Sequence, residues 1–188
     1  MENLLIWVDE DDTVIGYGEK LDTHVKGQLH RAFSIFIHDP ETDRILLQRR
    51  AMGKYHSGGK WSNACCSHPR RHELMKYALI DRLEEELGLY VGYPDIGLPK
   101  DSSQIHFCGM FKYFAQFDGL AEHEYDRVYV YEIPKELIEK IKPNPEEILD
   151  LKWLTLSEIE EWYDREPEAF SAWFMEALQF AKRQLVKY

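Results

Sequence analysis

The stretch Trp61-Ser62-Asn63-Ala64-Cys65-Cys66-Ser67-His68-Pro69 runs directly into Glu73-Leu74-Met75-Lys76-Tyr77-Ala78-Leu79-Ile80-Asp81-Arg82-Leu83-Glu84-Glu85-Glu86-Leu87-Gly88. The second half predicts a helix over 73–87. Leu74, Tyr77, Ala78, Leu83 and Leu87 recur at helical spacing and Gly88 supplies a stop. Three carboxylates in a row, Glu84 to Glu86, fan about 100° apart on such a helix, so they cannot all hold one ion. One or two of them suit Mg²⁺ carried by a phosphate group, because a hard cation takes oxygen ligands and shares some with the substrate. The competing reading is a solvated helix face. Acidic residues near a helix C-terminus oppose the helix dipole, and that local conflict favours a function.

The flanking sequence surrounds this helix with strands. Residues 3–8, 32–37, 44–48, 105–117, 128–133 and 148–154 read as strands, with a second short strand after the polar turn at Asp9 to Thr13. Asp39-Pro40-Glu41 marks a turn, Met52 to Trp61 a Gly-rich loop, and Glu122, His123 and Glu124 a loop between two strands. Residues 157–163 and 169–186 read as closing helices. The expected class is α/β (α+β): one domain over 1–188, a mixed β-sheet sandwiched between helices, with a core at about 28–155 and a C-terminal helical extension.

Composition narrows the functions. A net charge of -11 argues against nucleic acid, which is gripped by clustered Lys and Arg, yet leaves room for a local basic patch and a small anion. Hydrophobic residues at 44% and charged residues at 30% are those of a folded soluble domain. Met1 to Asp12 lacks the basic flank and cleavage site of a signal peptide, and no apolar run reaches membrane-spanning length. The expectation is a cytoplasmic protein, monomeric by default, with no membrane partner. Cys65, Cys66 and Cys108 read as free thiols in a reducing compartment.

The Cys66 segment and its helix resemble the Nudix pattern. Ser67 stands at the pattern's opening Gly, Glu73 at its first Glu, and Leu83, Glu85, Glu86, Gly88 and Leu89 at its later positions. Asp81-Arg82 occupies the place of Arg-Glu, so the carboxylate most used for hydrolysis is replaced by a cation. Asn63-x-x-Cys66-Ser67-His68-Pro69, Glu122-x-Glu124 and the upstream His24 and His30 together resemble type I isopentenyl-diphosphate isomerases.

That resemblance implies a Nudix-like fold and a set of roles. Cys66 and Glu124 would be the proton donor and acceptor, Tyr113 would assist the carboxylate, and Trp173 would lie over the reacting carbons. His24, His30, His68, Glu122 and Glu124 would hold Mn²⁺, Zn²⁺ or Mg²⁺, a donor set suited to a borderline or hard cation. Lys20, Arg50, Lys54 and Arg82 would bind the diphosphate, Trp61 would border the substrate, and Glu86 would hold the Mg²⁺ that comes with it. No flavin is implied. His38, His56, His72, His106 and His123 are read as non-ligands. Trp61 fits equally as a core aromatic, and Cys65 reads as a buried small hydrophobe. The alternative is a Nudix hydrolase of a nucleoside diphosphate-type substrate, and a third reading is a non-catalytic binding domain.

Overall fold

The computed structural model describes residues 4–54, 56–91 and 104–186. Asn3, expected at the start of the first strand, and Tyr55, inside the expected loop, lie outside them.

Strand β3 (His30–Asp39) organises the molecule, and nine of its ten residues are buried. A strand covered on both faces carries apolar residues at nearly every position. Phe33, Ile35 and Ile37 face one core with the helix α2 (Met75–Leu87), and Phe36 faces the other. The second core is built with α5 (Phe174–Leu185) and residues of α4 (Leu156–Arg165). The sheet is therefore sandwiched between helices, with one core on each face.

Around β3, β1 (Leu4–Val8) pairs antiparallel at His30 and carries β2 (Val14–Glu19) outside it. β4 (Arg44–Arg50) pairs with the far end of β3, with β5 (Trp61–Asn63) and with β9 (Ile148–Leu154). β6 (Cys65–Ser67) pairs with Phe33 to Ile35. β8 (Leu120–Glu132) runs parallel to the whole of β3, and β7 (Ile105–Phe117) pairs antiparallel to β8. Two short helices, α1 (Lys20–Lys26) after β2 and α3 (Lys135–Ile138) after β8, and a 3-10 turn at Pro167–Ala169 accompany them.

Several elements depart from expectation. Glu122 and Glu124 are on β8, not in a loop, because the turn is the pair Asp118-Gly119, with Gly119 at φ 73°. Asp-Gly between alternating apolar residues is a hairpin signal, and it decides this register. The closing helix begins at Phe174 rather than 169, since Phe170 bridges to Trp61 in extended form and Ser171 N–H donates to the Trp61 carbonyl at 2.9 Å. The helices α1 and α3 and the short strands β5 and β6 were not expected at all. The stop at Gly88 is as expected: φ is 63° and its N–H caps the Glu84 carbonyl. Among the described residues no helix is long and apolar enough to cross a membrane.

Candidate active site

Strand register assembles the site. In the parallel β3–β8 ladder His30 lies opposite Glu124, and in the β7–β8 ladder Tyr113 lies opposite the same Glu124. One row across three strands thus carries an imidazole, a carboxylate and a phenol. Period-two alternation puts Glu122, Glu124 and Asp126 on the face that continues into Val128 and Val130, the α5 side of the sheet. Ser34 lies opposite Cys66 in the β3–β6 ladder. Cys65 and Cys66 then point to opposite faces. Cys65 is fully buried in the α2-side core, and Cys66 packs beside the α5-side core.

Tyr113 Oη–H donates to Glu124 Oε2 at 2.6 Å, and His68 Nε2 meets Glu124 Oε1 at 2.6 Å. His30 Nε2 lies 3.6 Å from that oxygen, and His24 Nε2 lies 3.4 Å from Glu122 Oε1. One donor atom from each of His24, His30, His68, Glu122 and Glu124 falls in a group whose members are all within 4.8 Å of one another, and all five residues are buried. The Nδ1 atoms of His24 and His30 bond outward to the Lys20 and Gln28 carbonyls at 2.6 and 2.7 Å. Such outer bonds turn Nε2 inward as a lone-pair donor. His30 Nε2 has no hydrogen-bond partner. Burial lowers His30 to about 4 and His68 well below its ordinary value, so both rings are neutral, the form that binds metal. Burial pushes the Glu122 carboxyl up, but hydrogen bonds from His24 and His56 bring it well below the usual range. Burial and the neighbouring Glu122 hold Glu124 well above it. Three imidazoles and two carboxylates fit a divalent cation by donor chemistry and by the orphaned His30 nitrogen.

A cleft is lined by His68, Glu122, Glu124, Tyr113, Cys66, Trp173, Lys20, Arg50, Lys54, Arg82 and Glu86, among others. Arg50 Nη1 donates to Cys66 Sγ at 3.3 Å, and the Arg50 guanidinium lies 5.2 Å above the Trp173 ring. Burial raises the Cys66 thiol to about 11 despite Arg50, so the sulfur keeps its proton. Trp173 is fixed by its Nε1–H bond to Asn63 Oδ1 at 3.1 Å and lies 6.2 Å from the Tyr113 ring. Arg82 joins Glu86 at 2.6 Å, Glu85 at 2.7 Å and Glu147 at 2.8 Å, and Glu147 also pairs with Lys54. Gln48 Nε2–H donates to the other Glu86 oxygen at 3.0 Å.

Trp61 does not line this cleft. Its indole packs in the α5-side core beside Trp162, with the Lys152 ammonium 4.9 Å above it. His56, read as a non-ligand, enters the cleft, and its Nε2 contacts Glu122 Oε1. Glu147 also joins the site, from a position that no motif marked.

Arg82→Met leaves a buried Glu86 carboxylate without its cation, and the expected loss of stability is about 2 kcal/mol near neutral pH. Burial already raises the Glu86 pKa, while Arg82 lowers it, so the variant's folded-state value rises further. A carboxyl whose folded pKa is raised costs stability above that pKa and regains it as pH falls. Urea unfolding of the two proteins should therefore show the gap shrinking from neutral towards acidic pH. A gap independent of pH would assign the loss to packing.

Residues 28–174 match the family described as NUDIX domain. The chain is 42% identical over 179 residues to isopentenyl-diphosphate Delta-isomerase 2 of Aromatoleum aromaticum, covering 95% of this chain and 86% of that protein. The chain belongs to the isopentenyl-diphosphate Delta-isomerase family. Another member of that family, isopentenyl-diphosphate Delta-isomerase of Photobacterium profundum, is 38% identical over 188 residues, covering 98% of this chain and 97% of its own. Among solved structures, a Deinococcus radiodurans protein superposes with a TM-score of 0.66 at 18% identity, covering 95% of this chain and 98% of its own. A MutT protein from Methanosarcina mazei superposes with a TM-score of 0.58 at 17% identity, covering 83% of this chain and 95% of its own. These two show the fold alone.

Proposed function

We propose that this protein interconverts isopentenyl diphosphate and dimethylallyl diphosphate in isoprenoid biosynthesis, with Cys66 and Glu124 as the proton-transferring pair. The observation that carries the reading is that a protonated thiol and a metal-cluster carboxylate line one cleft together with Lys20, Arg50, Lys54 and Arg82. The reaction adds one proton to the terminal alkene carbon and removes one from the carbon on the other side of the branch point. The intermediate is a tertiary carbocation, and no electrons change hands, so no flavin is required. The chemistry is general acid–base catalysis.

His24, His30, His68, Glu122 and Glu124 would hold Mn²⁺, Zn²⁺ or Mg²⁺, and Glu86 would hold the Mg²⁺ brought by the diphosphate. A cation at the five-residue cluster supplies positive charge that favours the ionised form of Glu124. Tyr113 steadies the Glu124 carboxylate through its 2.6 Å bond. Trp173 presents an aromatic face to the cleft, and an indole stabilises a cation that has no counter-ion. Arg50 and Arg82 suit phosphate oxygens with planar donor pairs, and Lys20 and Lys54 add point charges. A cytoplasmic monomer acting on a free small molecule completes the reading.

The test is incubation with isopentenyl diphosphate and Mg²⁺ in deuterated water. Dimethylallyl diphosphate should appear carrying deuterium, without release of phosphate, and prior treatment with a chelator should abolish its formation until a divalent cation is restored. Phosphate release without isomer would establish the hydrolase reading in its place.

A further inference from the structure

The loop between β4 and β5 brings two side chains into the cleft, Lys54 and, two residues on, His56. His56 is buried, and its Nε2 contacts Glu122 Oε1, the oxygen that His24 Nε2 faces at 3.4 Å. Its ring stacks on Phe117 at 5.1 Å and 30° and meets Trp173 edge-on at 5.8 Å. His56 does not belong to the five-donor group, so its nitrogen meets the carboxylate from outside the cluster. The next residue, Ser57, has φ 52°, a left-handed conformation that costs energy for a residue with a Cβ. The loop accepts that cost while the imidazole is seated on the carboxylate.

The geometry points to His56 as a positioning residue that ties the Lys54 loop to the Glu122 carboxylate, so that metal loading at the cluster and the setting of the diphosphate-binding loop are one event. This inference rests on the metal-centre reading above. A carboxylate ligand held by an outer ion-pair contact keeps one oxygen oriented for the cation. The same contact, read from the loop, restrains the segment carrying Lys54, whose ammonium also pairs with Glu147. Simple packing is the competing role, because Phe117 and Trp173 would hold any flat ring. His56→Phe separates the two, since it keeps a ring and removes the donor. His56→Gln restores an N–H donor without the ring.

Mn²⁺ affinity is read from the electron paramagnetic resonance of the free ion, with no substrate present. His56→Phe should bind Mn²⁺ about tenfold more weakly than the parent, and His56→Gln should recover to within about threefold. Added Mn²⁺ should slow amide hydrogen exchange across 52–60 in the parent and leave it nearly unchanged in His56→Phe. The absorption spectrum of the Co²⁺-loaded protein should keep its shape in His56→Phe, because the coordinating atoms are unaltered. Parent-like Mn²⁺ affinity or parent-like slowing of exchange in His56→Phe overturns the inference alone. A changed Co²⁺ spectrum overturns it by making His56 a direct ligand. A parent protein that takes up no divalent cation overturns the metal-centre reading, and this inference with it.

Discussion

Cys66→Ala is expected to lower turnover at least about a thousandfold, within the range that a positioned acid or base contributes and equivalent to about 4 kcal/mol of barrier. The thiol lines the cleft, and burial holds its pKa up to about 11, so it is protonated, and on the proposed mechanism it is a proton source. Alanine removes that proton source and little else. β6 is held to β3 by its backbone, and the partner lost is one sulfur contact from Arg50. The variant should therefore unfold within about 1 kcal/mol of the parent and bind inorganic pyrophosphate with Mg²⁺ as the parent does. Cys65→Ala is the matched control. It removes a sulfur from the adjacent residue, but that side chain faces the α2-side core, so turnover should change little while some stability is lost. Deuterium incorporation followed by nuclear magnetic resonance gives both rates. A Cys66→Ala enzyme retaining a tenth or more of parent turnover would remove the thiol from the mechanism.

The contrast between neighbouring cysteines shows what was readable without coordinates. Resemblance to a motif selected Cys66, and strand alternation between two cores is the physical reason that only one of the pair reaches the cleft. The helix α2 was legible because its apolar spacing and Gly88 agree with each other. The His24, His30, His68, Glu122 and Glu124 set was legible only through resemblance, since its members come from α1, β3, the residue after β6, and β8. Spacing alone cannot predict that His30 lies opposite Glu124, because register depends on pairing over long distances. Glu122 and Glu124 were misread as a loop although Asp118-Gly119 was there to mark the turn. His56 and Glu147 carried no local signal. Each sits in a connecting segment, and each gains its meaning from a partner on another element, Glu122 for one and Arg82 with Lys54 for the other. Trp61 shows the reverse case: it opens the motif in sequence, but β5 turns its indole away into the core beside Trp162.

Glu124→Gln should be at least as damaging as loss of the thiol, and damaging in a way that added metal does not repair. Its carboxylate stands at the meeting point of two functions. Oε1 faces His68 at 2.6 Å and His30 at 3.6 Å, and Oε2 accepts from Tyr113 at 2.6 Å. The amide is nearly isosteric, so packing is preserved, but it cannot take a proton and it is a poor ligand. Glu122→Gln provides the comparison that separates the two functions. Glu122 shares the cluster and the sheet face, but it lies two residues along β8 and contacts His24 and His56 instead of Tyr113. Both variants should bind Mn²⁺ at least about tenfold more weakly than the parent. At saturating Mn²⁺, Glu122→Gln should recover to within about tenfold of parent turnover, whereas Glu124→Gln should stay about a thousandfold below it, the cost of a missing base. Should saturating metal restore both variants alike, Glu124 would be a ligand only, and the proton acceptor would have to be sought among the other groups lining the cleft.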